Sequence, residues 1–217
     1  MTPVPDSPYA RALGERIDEL HPRLRAYFSA VPDGAVGIGE GVFHVVGTPR
    51  RWLWPVLRVL ERRGVVAGVW ERDVPFRVEN RTIASRAIGE RTFRFTRGPW
   101  VMRDAVALTR HGRVLDELGE PGLIAACFDV DVRDGALHLA SRAVGVRLGR
   151  LRIRVPRLIA PVVRLTERFD DAIDRQQVAL TIDAPLLGRV YEYRGDFEYR
   201  VPHIAEVPHI AAKEQSA

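Results

Sequence analysis

From about Phe76 to Val201, apolar and polar residues alternate in short runs, broken at intervals by glycine, proline and aspartate. A period of two marks a strand with one dry face and one wet face. The last run is the clearest. Tyr191, Tyr193, Phe197, Tyr199 and Val201 fall on one face with Gly195 among them, while Glu192, Arg194, Asp196, Glu198 and Arg200 fall on the other. Asp134-Gly135, between apolar runs over 123–132 and 136–146, is the strongest hairpin signal in the chain. A glycine-rich strand is predicted earlier, over about 36–46.

Helical spacing is confined to the first third. Ser7-Pro8 supplies a capping residue and a proline at the first helical position, and Tyr9, Leu13, Ile17, Leu20 and Leu24 then recur at steps of three and four. His21-Pro22 should kink or restart this helix. A second helix is predicted from Thr48-Pro49 to Gly64, with Trp52, Leu53, Val56, Leu57 and Leu60 as its docking face. Pro55 should bend it or delay its start. The fold class is therefore α+β and β-rich: a strongly curved antiparallel sheet or barrel of about eight to nine strands, with N-terminal helices packed on it. A flat open sheet of that size would leave two exposed edges. One globular domain is predicted over residues 1–201, with a loose tail over 202–217.

Composition narrows the classes. The chain has 217 residues, and hydrophobic residues make up 46 %, enough for a sizeable core. No apolar run reaches the roughly 20 residues of a membrane span, and the first seven residues lack the features of a signal peptide, so a cytoplasmic protein is expected. The single cysteine, Cys127, rules out an internal disulfide and a cysteine metal cluster. Net charge is +5, and Lys213 is the only lysine, so the positive charge is almost all arginine. These arginines are scattered among acids rather than gathered with aromatics, which argues against a nucleic-acid partner.

One segment has a family likeness. Pro185-Leu186-Leu187-Gly188-Arg189-Val190-Tyr191-Glu192-Tyr193-Arg194-Gly195-Asp196-Phe197 resembles the closing motif of a bacterial domain of unknown function, number 4166. The stretches Arg91-Thr92-Phe93, Leu115-Asp116-Glu117-Leu118-Gly119 and Leu148-Gly149 with Pro156-Arg157-Leu158-Ile159-Ala160-Pro161 agree in order. The resemblance covers about Gly39 to Arg200. It implies a domain often fused to saccharopine-dehydrogenase-like reductases, and it carries no catalytic residues across.

Candidate chemistry is sparse. Gly37, Gly39 and Gly41 lack the third glycine of a dinucleotide loop and read as close packing. The histidines have no metal-ligand spacing, so no metal and no cofactor are expected; His44, in a strand, is a catalytic candidate. Glu117 and Glu167 lie in family-like stretches near arginines, as candidate acids or bases. Asp129 and Asp131 sit where the face of Ala125 and Cys127 turns acidic, and Asp129 is a candidate at a barrel mouth. Trp100, Tyr191, Tyr193, Phe197 and Tyr199 are candidate walls of an apolar pocket.

Two functions compete on this reading. One is binding of an apolar small molecule in a barrel cavity, with cofactor-independent conversion of the cyclase or isomerase type in secondary metabolism. It needs a cavity on the order of a few hundred Å³. The other is a non-catalytic accessory domain for a separately encoded reductase or membrane partner, with a filled barrel and an exposed apolar patch near Trp52 and Trp54. A homodimer is a further partner expectation.

Overall fold

The two ends of the strand-rich region pair with each other, and that pairing closes a barrel. The structure is a computed structural model that describes residues 7–202. The readings on residues 1–6 and on the tail with His203 and His209 lie outside the described residues.

The N-terminal segment behaves as its caps dictate. α1 (Pro8–Leu13) starts at Ser7, whose Oγ accepts from the Ala10 amide, and runs into a 3₁₀ turn over Gly14–Glu19. The chain restarts at His21 as α2 (Pro22–Phe28). Leu13, Leu20, Leu24 and Phe28 are buried against the barrel, as the apolar stripe requires. The Trp52 region differs from expectation. A 3₁₀ turn over Arg51–Leu53 precedes α3 (Trp54–Glu61), because Pro55 fits only the first turn of a helix. Leu57 packs inward while Trp52, Val56 and Val59 face out, so the docking face is narrower than predicted.

The strands are β1 (Gly37–Gly47), β2 (Trp70–Glu71), β3 (Val74–Ile83), β4 (Arg86–Phe95), β5 (Gly98–Leu108) and β6 (Val114–Leu118). They continue as β7 (Ile124–Arg133), β8 (Ala136–Leu148), β9 (Leu151–Arg154), β10 (Val162–Asp170), β11 (Arg175–Ala184) and β12 (Gly188–Arg200). Ten of them form an antiparallel barrel that meanders from β3 to β8, continues through β10 to β12, and closes where β12 pairs β1. The short β2 lies on β1, and β9 branches off β8. The count exceeds the predicted eight to nine. β4 also starts early, at Arg86, well before the Arg91-Thr92-Phe93 stretch. Its turn is Ala84-Ser85, both at positive φ with no glycine to signal it. By contrast, Asp134-Gly135 makes the turn its sequence announces.

The closing seam is glycine against aromatic. A side chain at Gly37 would run into the Tyr199 ring, one at Gly39 into Val78 and Phe197, and one at Gly41 into the backbone of Asp196. Gly195 meets Val42 and Phe43 in the same way. The glycines thus let two strands and a row of inward aromatic rings occupy one narrow corner. His44 is the extra residue of a bulge between Phe43 and Val45. Tyr191, Tyr193 and Phe197 are buried inside and Tyr199 nearly so, while Arg194, Glu198 and Arg200 face solvent. No helix among the described residues is long and apolar enough to cross a membrane.

Gly41→Val should overpack this seam and lower stability by about 2 kcal/mol or more, measured as the urea midpoint. A wild-type midpoint would mean that β1 and β12 are not pressed together here.

Candidate functional site

Two apolar plugs fill the barrel, with a polar layer between them. Phe43, Phe76, Phe93 and Phe95 belong to the plug at the α3 end, with Phe43 and Phe76 rings 4.2 Å apart. Val106, Val114, Phe128 and Leu137 belong to the other, under α1 and α2. Each of several strands places one polar residue at the level between. β4 brings Arg91, β5 Asp104, β6 Asp116, β10 Glu167 and β11 Gln176. Tyr9 from α1, Tyr27 from α2 and Tyr193 from β12 bring phenols to the same layer.

Alternation explains how charged residues come to be inside. Arg91 is in phase with Phe93 and Phe95, Asp104 with Met102 and Val106, and Asp116 with Val114. Arg91 pairs with Asp104, and Gln176 donates to Glu167. Gly89 makes room for the first pair, since a Cβ there would stand 2.8 Å from Asp104 Oδ1 and 3.0 Å from Arg91 Nη1. Asp104 and Glu167 are buried, whereas Arg91 keeps 22 % of its side chain exposed along a narrow channel.

The electrostatics are unbalanced. One guanidinium faces three carboxyls. Burial pushes Glu167 up to about 7, against the hydrogen bond from Gln176 and the charge of Arg91. Burial also pushes Asp116 up to about 6, opposed by Arg91 and reinforced by Glu117. The Tyr27 and Tyr193 phenols are raised by burial too, and so stay neutral donors. Two polar atoms in and beside this layer are left over. Asp116 Oδ1 is buried with no partner, and the Tyr199 hydroxyl, beside Asn80, makes no hydrogen bond of regular geometry.

The channel to this layer runs between the cap and the β3–β4 wall, past Tyr27, Asn80, Thr82, Arg91 and Glu167, and has a cavity volume of about 60 Å³. The Val31 amide donates to Thr82 Oγ1 at 2.8 Å and straps the cap over it. A pocket of 60 Å³ holds water or a very small molecule, and is far below the few hundred Å³ of a typical ligand site. The larger surface hollow of about 750 Å³ lies elsewhere, between Arg63, Trp100, Arg103 and Glu120.

A family model described as "Domain of unknown function (DUF4166)" matches residues 20–197. The chain belongs to that family. No curated protein and no solved structure matches it. The match begins at Leu20, earlier than the expected Gly39, and so takes in α2.

Within this DUF4166 domain, the sequence candidates separate. Glu167 and Tyr193 lie in the polar layer, and Tyr199 borders it. Tyr191 sits in the α3-end plug, where its hydroxyl bonds the Ala67 backbone, and Phe197, of the same apolar cluster, pairs across from Gln176 and meets Tyr27 of the cap. Trp100 packs at the rim of that plug and donates to the Glu61 carbonyl at 3.0 Å. Three candidates face outward. Glu117 accepts from Arg86 at 2.6 Å, His44 pairs with Asp196 at 2.7 Å, and Asp129 is held by Arg113 and Arg142. Asp131 is tied to Arg16 and Arg133, so the acidic face of β7 is the outer wall rather than a mouth. Arg91, Asp104, Asp116 and Gln176 were missed. Their signal is a polar residue two positions from apolar ones on a buried strand face.

Folded Glu167 keeps its proton up to about pH 7, whereas the unfolded chain releases it near the ordinary 4.5. The native state binds more protons between those values, so stability falls as pH rises from about 4.5 through 7, by on the order of 3 kcal/mol. Glu167→Gln should flatten that decline and raise stability above pH 7, measured by urea unfolding at several pH values. An unchanged slope would remove Glu167 from the buried layer.

Proposed function

We propose that this domain binds a small molecule at the polar layer inside the barrel, reached when the α1–α2 cap is displaced. One observation carries the reading: a buried layer with three carboxyls, one arginine and an unpartnered Asp116 oxygen adds nothing that a fully apolar core would not supply better. Titratable groups shifted by burial and gathered beside a channel are what a recognition or proton-handling site requires. The closed channel of about 60 Å³ falls short of the few hundred Å³ this reading calls for, so anything larger than a very small molecule requires Tyr9, Tyr27 and Phe28 to withdraw with the cap. The ligand needs a hydrogen-bonding group for Arg91, Glu167 and Tyr193, and it can be otherwise apolar toward Leu139 and Leu165. Glu167, poised near neutrality, can take or return one proton, which suits a cofactor-independent conversion of the cyclase or isomerase type.

Protein purified from its native host, unfolded in organic solvent and analysed by mass spectrometry, should release a bound small molecule. Arg91→Met and Glu167→Gln should carry less of it. Tyr193→Phe should weaken binding at least several-fold with a nearly unchanged melting temperature. If its hydroxyl instead serves a structural partner, the same change costs about 1 kcal/mol of stability and leaves binding alone. A protein that is empty in every preparation, and gains no thermal stability from a panel of small hydroxy and oxo compounds, ends this reading.

A second reading has its own support, because the two plugs leave the barrel filled, as a non-catalytic accessory domain would have it. Trp52, Val56 and Val59 on and beside α3 are exposed and apolar, as an accessory domain docking on a reductase or membrane partner would need.

A further inference from the structure

The two barrel ends differ in what closes them. α1 and α2 cover the end where β7 turns into β8, since the His21 amide donates to the Gly135 carbonyl. The opposite end carries α3, the 119–122 loop, the β8–β9 turn with the 155–161 segment, and the β11–β12 turn. These pieces are neighbours. The Glu120 amide donates to the Arg63 carbonyl at 3.1 Å, and Arg147 reaches the Pro121 carbonyl at 3.1 Å. A side chain at Gly188 would stand 3.8 Å from the Arg50 guanidinium.

This end collects exposed apolar side chains. Of the twelve large apolar residues left exposed among the described residues, all but Ile83, Ile173 and Val201 lie at or beside it. They come from separate tips: Trp52 and Val56 at α3, Leu158 (87 % exposed) and Ile159 before β10, and Leu186 (106 %) and Leu187 before β12. A patch made by several loops at once is not the single exposed leucine that any surface tolerates.

Arginine surrounds these tips. From Gly135 to Thr166 the chain contains seven arginines and no acidic residue. Most acids of this end are engaged by arginine: Glu61 by Arg97, Glu117 by Arg86 and Arg152, Glu120 by Arg103, and Asp183 by Arg164 and Arg189, while Glu71 accepts from Thr96 and Asp73 lies 3.8 Å from His44. Arg51, Arg58, Arg62, Arg150, Arg154 and Arg157 have no carboxylate partner among the described residues.

We propose that this end of the barrel docks on the surface of an anionic lipid bilayer. Leu158, Ile159, Leu186 and Leu187 enter the headgroup boundary, Trp52 lies at its level, and the unpaired arginines meet lipid phosphates. Aliphatic tips within a cationic field are the pattern of interfacial binding, in which buried apolar area and attraction to anionic lipid add together. A single-stranded nucleic acid would instead call for aromatic faces on which bases stack, and the outermost tips here are leucine and isoleucine. The inference is independent of the interior ligand, and it gives the second reading a definite partner, a lipid surface.

The test is co-sedimentation of the full chain with vesicles of phosphatidylcholine containing about one third phosphatidylglycerol, at about 0.1 M salt. Binding should be at least tenfold weaker on pure phosphatidylcholine. Leu158→Asp with Ile159→Asp, both at exposed sites, should weaken it about tenfold, and Arg150→Glu with Arg157→Glu should abolish most of its salt dependence. No binding to the anionic vesicles overturns the proposal. So does undiminished binding by the Leu158/Ile159 variant, or equally tight binding to a short DNA, since either leaves charge alone at work. These substitutions do not touch the polar layer, so small-molecule content by mass spectrometry reports separately on the interior.

Discussion

The barrel depends on the absence of side chains along one strand. β1 can lie against β12 only because Gly37, Gly39 and Gly41 leave space for Tyr199, Phe197 and the β12 backbone, with Gly195 answering from the other side. Without that contact the meander would be an open sheet with β1 and β12 as bare edges, a state prone to pairing with other chains. Closure also turns the aromatic row inward as a group. Phe197 and Tyr193 then meet Phe76 and Phe43, and the α3-end plug becomes a stack of rings rather than a lining. The seam therefore limits how much empty space the barrel can hold.

Filling both ends with apolar plugs isolates whatever lies between them. In that low-dielectric middle, an ion pair between Arg91 and Asp104 must offset the desolvation of both partners, and two further carboxyls have no counter-charge of their own. The outcome is protonation rather than repulsion: Glu167 and Asp116 hold protons at pH values where exposed acids do not. A carboxyl kept neutral can donate a hydrogen bond, and one near its midpoint can move a proton, which is the chemistry the proposed site would use.

The two ends divide the surface as the plugs divide the interior. Cap residues Tyr9 and Tyr27 reach down to the polar layer, so the proposed access from that side would require α1 and α2 to move. The far end has no such cover. Its apolar tips and unpaired arginines face outward, and β8 shares one edge between β10 and the exposed β9. The proposed opening of the cap and the proposed docking at the opposite end would thus not compete for the same surface.

Local sequence carried much of this architecture. Period-two alternation placed most strands and set the phase of β12, Ser7 and His21-Pro22 started the helices, and Asp134-Gly135 made its hairpin, because each of these is decided within a few residues of chain. The family likeness was likewise readable in the β12 motif. Three matters were not local. The Ala84-Ser85 turn has no glycine to mark it, so the full length of β4 was hidden. Inside and outside on β6 and β7 depend on closure: Glu117 and Asp116 alternate on β6, and Asp129 and Phe128 on β7, and alternation defines two faces without saying which one the barrel encloses. The polar layer was not legible as a site, since Arg91, Asp104, Asp116, Glu167 and Gln176 are far apart in sequence and meet only when the strands bring them to one level. Sequence determined strands and their two faces; tertiary closure decided which face became interior, and so which charges were forced to share it.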